Sequence, residues 1–173
     1  MPVESTQYPR GPYRQHYFES MARLEARHHP KISFIPIAFG TASDGYERIG
    51  AGGRFSFPIS KHFNLGLGYL NYPFETKRLM SGHHFETFLE VPEMLPWGEW
   101  QTGVFADFSS FDTVDETRKG GIGGIFVGLA LPLYSFGKHL RIDLMLQGGL
   151  GYVMESEKIG GLFQSAAGLI WML

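Results

Sequence analysis

The chain has 173 residues and a formal net charge of −2, without the basic footprint of a nucleic-acid-binding protein. No apolar run reaches the roughly 18 residues a membrane helix needs, and the lack of cysteine excludes disulfides and thiolate metal sites. With 23 glycines and 15 phenylalanines the composition excludes low-complexity disorder and suits a β-barrel, where small residues relieve crowding and aromatics belt the rims.

Residues 1–13 carry Pro2, Pro9 and Pro12 and read as extended chain. MPVESTQYPR has no apolar signal core, so a mature chain with an added Met1 is expected. Over Arg14–His29, Tyr17, Phe18, Met21 and Leu24 recur at helical spacing, with Arg14, Arg23 and Arg27 available to the polar side, and Pro30 stops the helix. Residues 1–30 therefore form an N-terminal extension with one amphipathic helix. It lies either on a membrane interface or on the protein's own surface.

From Lys31 onward the period is two, and residues 31–173 read as eight strands. These are Ile32–Ala42, Tyr46–Ile59, Phe63–Tyr72, His83–Val91, Glu99–Phe108, Ile122–Tyr134, Leu140–Val153 and Gly161–Leu173. The seventh sets the pattern. Leu140, Ile142, Leu144, Leu146, Leu150 and Tyr152 take one face, while Arg141, Asp143, Met145 and Gln147 take the other. An apolar face this long, closed by an aromatic, suits lipid. Short separators (60–62, 135–139) alternate with longer polar ones (71–82, 109–121), the pattern of an outer-membrane barrel. The expected fold is thus all-β, an eight-stranded antiparallel transmembrane barrel with an N-terminal amphipathic helix. A segment of a larger barrel is the alternative.

With the N-terminal end taken as periplasmic, the inward positions sort by depth. Glu90, Glu99, Arg141 and Asp143 fall in the periplasmic half and Arg54 near the middle, which predicts a closed salt-bridge plug rather than an open pore. The outer half is lined by Gly50, Gly52, Gly68, Gly103, Phe105, Phe126, Gly149 and Gly151. Small residues there predict an apolar cavity able to hold an acyl chain, unless the glycines serve only to let the strands coil. Pro36, Pro58 and Pro132 lie inside strands and each removes a ladder donor, so a weakened seam could admit a lipid tail. On the outer rim, His84, Asp107 and Ser109, with Ser81, His83 and Ser110 nearby, are candidates for a Ser-His-Asp arrangement, with solvated rim polarity as the alternative. Metal-ligand spacing is absent, and no cofactor is implied.

Phe34–Phe39 (FIPIAF), Tyr46–Phe55 (YERIGAGGRF), Leu129–Leu133 (LALPL) and Ile170–Met172 (IWM) resemble the lipid A palmitoyltransferases. The resemblance implies an eight-stranded outer-membrane barrel behind an amphipathic helix, with an apolar pocket that measures an acyl chain. It does not carry over catalytic residues. That family's histidine belongs just after the first strand, where Gly40-Thr41-Ala42-Ser43 stands, and its Asp-Ser pair after the third, where Asn71-Tyr72 stands. Two roles are therefore expected: a lipid-binding, acyltransferase-like barrel, or a non-enzymatic barrel that braces the membrane or binds an envelope protein through its loops. Either would be a monomer in contact with membrane lipid.

Overall fold

The computed structural model describes residues 29–42, 47–76, 79–95, 98–112, 117–137, 139–154 and 156–173. The helix expected over Arg14–His29 falls, but for its last residue, outside them. Eight strands follow in order: β1 Lys31–Ala42, β2 Glu47–Pro58, β3 Asn64–Tyr72, β4 Ser81–Leu95, β5 Gly98–Asp112, β6 Thr117–Phe136, β7 Leu140–Val153 and β8 Lys158–Met172. Each pairs antiparallel with its sequence neighbour, and β1 pairs with β8, so the barrel closes on itself and leaves no free sheet edge for further strands.

The strands β4 to β6 run further than the hydrophobic alternation suggested. Pairing continues through Ser81↔Ser110 and Asp112↔Thr117, shrinking the separator expected over 109–121 to residues 113–116. Backbone pairing needs no apolar face, so a hairpin can project past the apolar band. The prolines are accommodated at irregularities. Register shifts flank Pro36 in both β1–β2 and β1–β8, another follows Pro132 in β6–β7, and Pro58 ends β2.

The barrel is apolar outside and charged inside. Phe34, Leu67, Ile125, Leu150 and Trp171 stand exposed on the outer face, while Lys31, Arg48, Arg54, Glu86, Glu99 and Asp143 are buried in the lumen. An apolar belt around the whole circumference far exceeds the patches that soluble monomers tolerate, and it is the surface a bilayer requires. Strands of 9 to 20 residues suffice to cross one. Val127, exposed and near mid-height opposite Thr102 and Gly148, gives a direct test. Val127→Arg should cost roughly 2–4 kcal/mol in a urea titration of the vesicle-inserted protein. An unchanged midpoint, with a protein soluble without detergent, would contradict insertion.

Candidate functional site

The lumen is organised by one continuous chain of charged and amide side chains. At the end nearer the chain termini, Arg141 grips Asp143 with two 2.5 Å bonds, through Nε and Nη2, and reaches Glu99 at 3.3 Å. Lys31 Nζ donates to Glu99 at 2.7 Å and to Glu90 at 2.9 Å, joining β1 to β4 and β5. Glu90 also accepts from Asn64 Nδ2 at 2.8 Å and from Gln101 Nε2 at 3.2 Å. The plug residues Glu90, Glu99, Arg141 and Asp143 are thus brought together, and Lys31 joins them.

Arg54 occupies the next level. It donates to Gln101 Oε1 at 3.0 Å, to Met145 Sδ at 3.2 Å and to Glu86 Oε2 at 3.0 Å, and lies 5.2 Å over the Phe88 ring. Gln147 Nε2 supplies a second donor to Glu86 at 3.0 Å. Gln101 therefore couples Arg54 to the lower cluster through Glu90. Above Glu86 stands His84, whose Nε2 is 3.7 Å from Glu86 Oε2 and whose Nδ1 is 3.1 Å from Asp107 Oδ2. Asp107 in turn pairs with Arg48, which lies 5.4 Å over the Tyr72 ring.

His84, Asp107 and Ser109 are neighbours, but not in the order a hydrolytic relay requires. In such a relay the imidazole stands between the hydroxyl and the carboxylate. Here the carboxylate is in the middle: Ser109 Oγ donates to Asp107 Oδ1 at 2.6 Å and accepts from Arg48 Nη2 at 2.9 Å, while His84 sits on the other carboxylate oxygen. The hydroxyl proton is committed to Asp107, and His84 is 2% exposed and stacked 5.5 Å from Phe105. The other rim candidates are elsewhere. Ser81 donates to Glu75 at 3.0 Å, and His83 faces outward against Tyr69 Oη at 2.8 Å.

Of the residues expected to wall an acyl cavity, Gly103, Phe126 and Gly149 line an apolar space of about 910 Å³ together with Phe88, Leu162 and Val104, while side chains fill much of the lumen beside it. Phe88, Phe105, Phe126 and Leu162 form a buried cluster packed by Ile122. The glycines lie beneath these and other groups. A Cβ at Gly149 would stand 2.9 Å from the Phe105 ring, one at Gly151 2.6 Å from Ile122 Cγ2, and one at Gly50 2.8 Å from the Tyr72 ring. At Gly68 it would collide with the Glu86 carboxylate. At Gly52 and Gly103 it would meet the neighbouring strand, 2.8 Å from the Cα of Leu70 and of Phe88. The small residues therefore create room that larger side chains fill, the alternation of sizes that packs a narrow barrel. In the half nearer the chain termini the free space among Lys31, Glu90, Arg141 and their neighbours is about 10 Å³, one water at most.

Lys31, Arg48, Glu86 and Phe88 are among the lumen residues that the strand pattern had not singled out. Arg48 shares the parity of Gly50 and Arg54, and Glu86 that of His84 and Glu90, so the period-two rule could have found both.

Two outcomes follow. Arg54→Ala strands Glu86 in the barrel and should cost on the order of 3–5 kcal/mol, and an Arg54→Ala/Glu86→Ala pair should recover part of that loss in a double-mutant cycle read by urea unfolding. Gly103→Met should destabilise the barrel by about 1–3 kcal/mol or more through overpacking against Phe88 and Phe126, with no change in any co-purified acyl chain.

No family model matches the sequence, and no curated protein matches it. Among solved structures, the chain is similar to the N-terminal β-barrel domain of Pseudomonas aeruginosa OprF, with a TM-score of 0.60 at 14% identity over 83% of this chain and 98% of that one. It also matches Ail, the attachment invasion locus protein of Yersinia pestis, at a TM-score of 0.48 and 12% identity over 83% and 99%. Ail in complex with the heparin analogue sucrose octasulfate gives 0.49 and 14% over 83% and 98%. The likeness to the OprF domain establishes the fold, a closed eight-stranded antiparallel barrel of the outer-membrane kind. That is the architecture the palmitoyltransferase resemblance implied; acyl transfer does not follow from it.

Proposed function

We propose that the protein is a monomeric, non-conducting barrel of a bacterial outer membrane that serves as a membrane anchor or brace and carries out no acyl transfer of its own. The observation that supports this is the filled lumen. Side chains from β1, β2, β4, β5 and β7 meet across the barrel in one chain of hydrogen bonds and close polar contacts from Asp143 to Arg48, with an aromatic cluster beside it. A conducting pore needs a continuous aqueous path, and eight strands enclose an interior that side chains just fill. Acyl transfer needs an empty apolar pocket beside an activated nucleophile. The Ser109 hydroxyl is turned toward a carboxylate rather than an imidazole, so it is not activated as a nucleophile.

The test is electrical and chemical. In planar lipid bilayers the wild-type protein should give no stepped conductance, and Arg54→Ala/Glu86→Ala, which leaves Lys31 on Glu90 and Glu99, should also give none. Purified protein given a phospholipid donor and lipid A should produce no acylated product by mass spectrometry. Wild-type conductance steps would overturn the closed reading, and palmitoylated lipid A would overturn the non-enzymatic one.

A further inference from the structure

At the outer ends of β3 to β6 the barrel wall carries a niche of about 600 Å³ that neither the plug nor the lipid belt explains. Its position follows from the register. Asn71, His83, Phe108 and Gly121 form one cross-strand row, and the row above it passes through Gly82 and Gly120. Gly82 and Gly120, on either side of Ser109 in that row, leave bare backbone at the niche, and Ser81 and Met154 complete the walls. Directly below lies an aromatic group on the lipid side. Tyr69 and Phe85 are 5.0 Å apart, Phe85 and Phe108 6.4 Å, and all three are exposed.

The walls combine two chemistries. Phe108 offers an apolar ring, 51% exposed. Asn71 brings a neutral amide with two donors and an acceptor, and Ser81 a hydroxyl. His83 is held by Tyr69, whose hydroxyl meets Nδ1 at 2.8 Å with the rings stacked at 6.0 Å, leaving Nε2 as the remaining polar atom of the imidazole. An aromatic face beside neutral amide and hydroxyl groups suits a sugar ring, whose C–H face packs on the aromatic while its hydroxyls bond to the polar groups. The height is equally specific. The niche sits one row above the aromatic girdle, where headgroups begin, and it runs without interruption into the apolar belt of Leu67, Phe85 and Val104 below.

We propose that this niche binds the sugar headgroup of an acylated glycolipid of the outer leaflet, with the lipid's tails lying against the belt beneath. The proposal rests on the outer-membrane placement and on taking this rim, opposite the chain termini, as the external one. The occupant is amphiphilic because the site is: a free sugar would use only the upper half, and a phosphoglyceride lacks the ring of hydroxyls that Asn71 and His83 match.

The test is retention of rough lipopolysaccharide by the full chain in nanodiscs of phosphatidylethanolamine and phosphatidylglycerol, followed by native mass spectrometry. Wild type should retain one lipopolysaccharide against dilution with plain lipid. Asn71→Ala and Phe108→Ala should each weaken retention by about three- to tenfold, and Leu144→Ala, on the belt away from the niche, should leave it unchanged. Folding of each variant is checked by its heat-dependent gel mobility, and His83→Gln supplies a second polar probe if Phe108→Ala fails to fold. Equal retention by folded wild type, Asn71→Ala and His83→Gln, or equal retention of phospholipid, would overturn the niche while leaving the barrel's membrane placement intact. A wild type that does not enter the nanodiscs at all would fail at the placement itself.

Discussion

Burial of charge is the constraint on which the rest of this barrel depends. Arg54 shows how. Its guanidinium stands at mid-lumen and touches Glu86 on β4, Gln101 on β5 and Met145 on β7 from its own position on β2. A cation taken out of water costs several kcal/mol unless its donors are met, and the same holds for each carboxylate. Satisfying Arg54 therefore fixes β2, β4, β5 and β7 relative to one another. Lys31 does the same for β1, β4 and β5, and Arg48 for β2 and β5. A slip of one residue on β1, β2, β4, β5 or β7 would turn its charges into lipid, so the ionic chain also enforces the register of these strands.

Packing follows from that register. The cross-strand partners Gly66↔Phe88 and Phe88↔Gly103 place a ring between two glycines, and Gly103↔Phe126 and Phe126↔Gly149 repeat the device around the wall. Each phenylalanine takes the volume that its neighbours lack. This is why these glycine rows are not empty although their composition reads so. Glycine here is a partner to a large side chain on the next strand, and its effect cannot be judged from its own strand.

That distinction marks how far the sequence was legible. Period-two alternation is a property of single strands, so eight strands, their lipid face and the inward parity of Glu90, Glu99, Arg141 and Asp143 could all be read from it. Strand ends were less legible, because Phe111–Asp112 and Thr117–Gly120 pair beyond the apolar band, where no alternation is needed. Lumen volume was not legible, since it depends on which residues face each other after closure. Nor was the order of atoms at His84, Asp107 and Ser109. Residue types and rim position suggested a relay, but Arg48, reaching across from β2, takes the place beside Ser109 and holds the carboxylate between the hydroxyl and the imidazole.

A lumen built this way resists opening by degrees. An aqueous path would have to displace Lys31 from Glu90 and Glu99 and Arg54 from Glu86, two groups at successive depths. Breaking one buried pair without a replacement partner costs on the order of 3–5 kcal/mol, which limits that open form to roughly one molecule in a hundred to one in several thousand. Both must be open at once for passage, and Gln101, bonded to Glu90 and Arg54 alike, loses partners on both sides when either moves. The interior is thus committed to holding eight strands in register. What the barrel offers to other molecules is left to its rims and outer wall, where aromatic and amide groups meet the lipid headgroups.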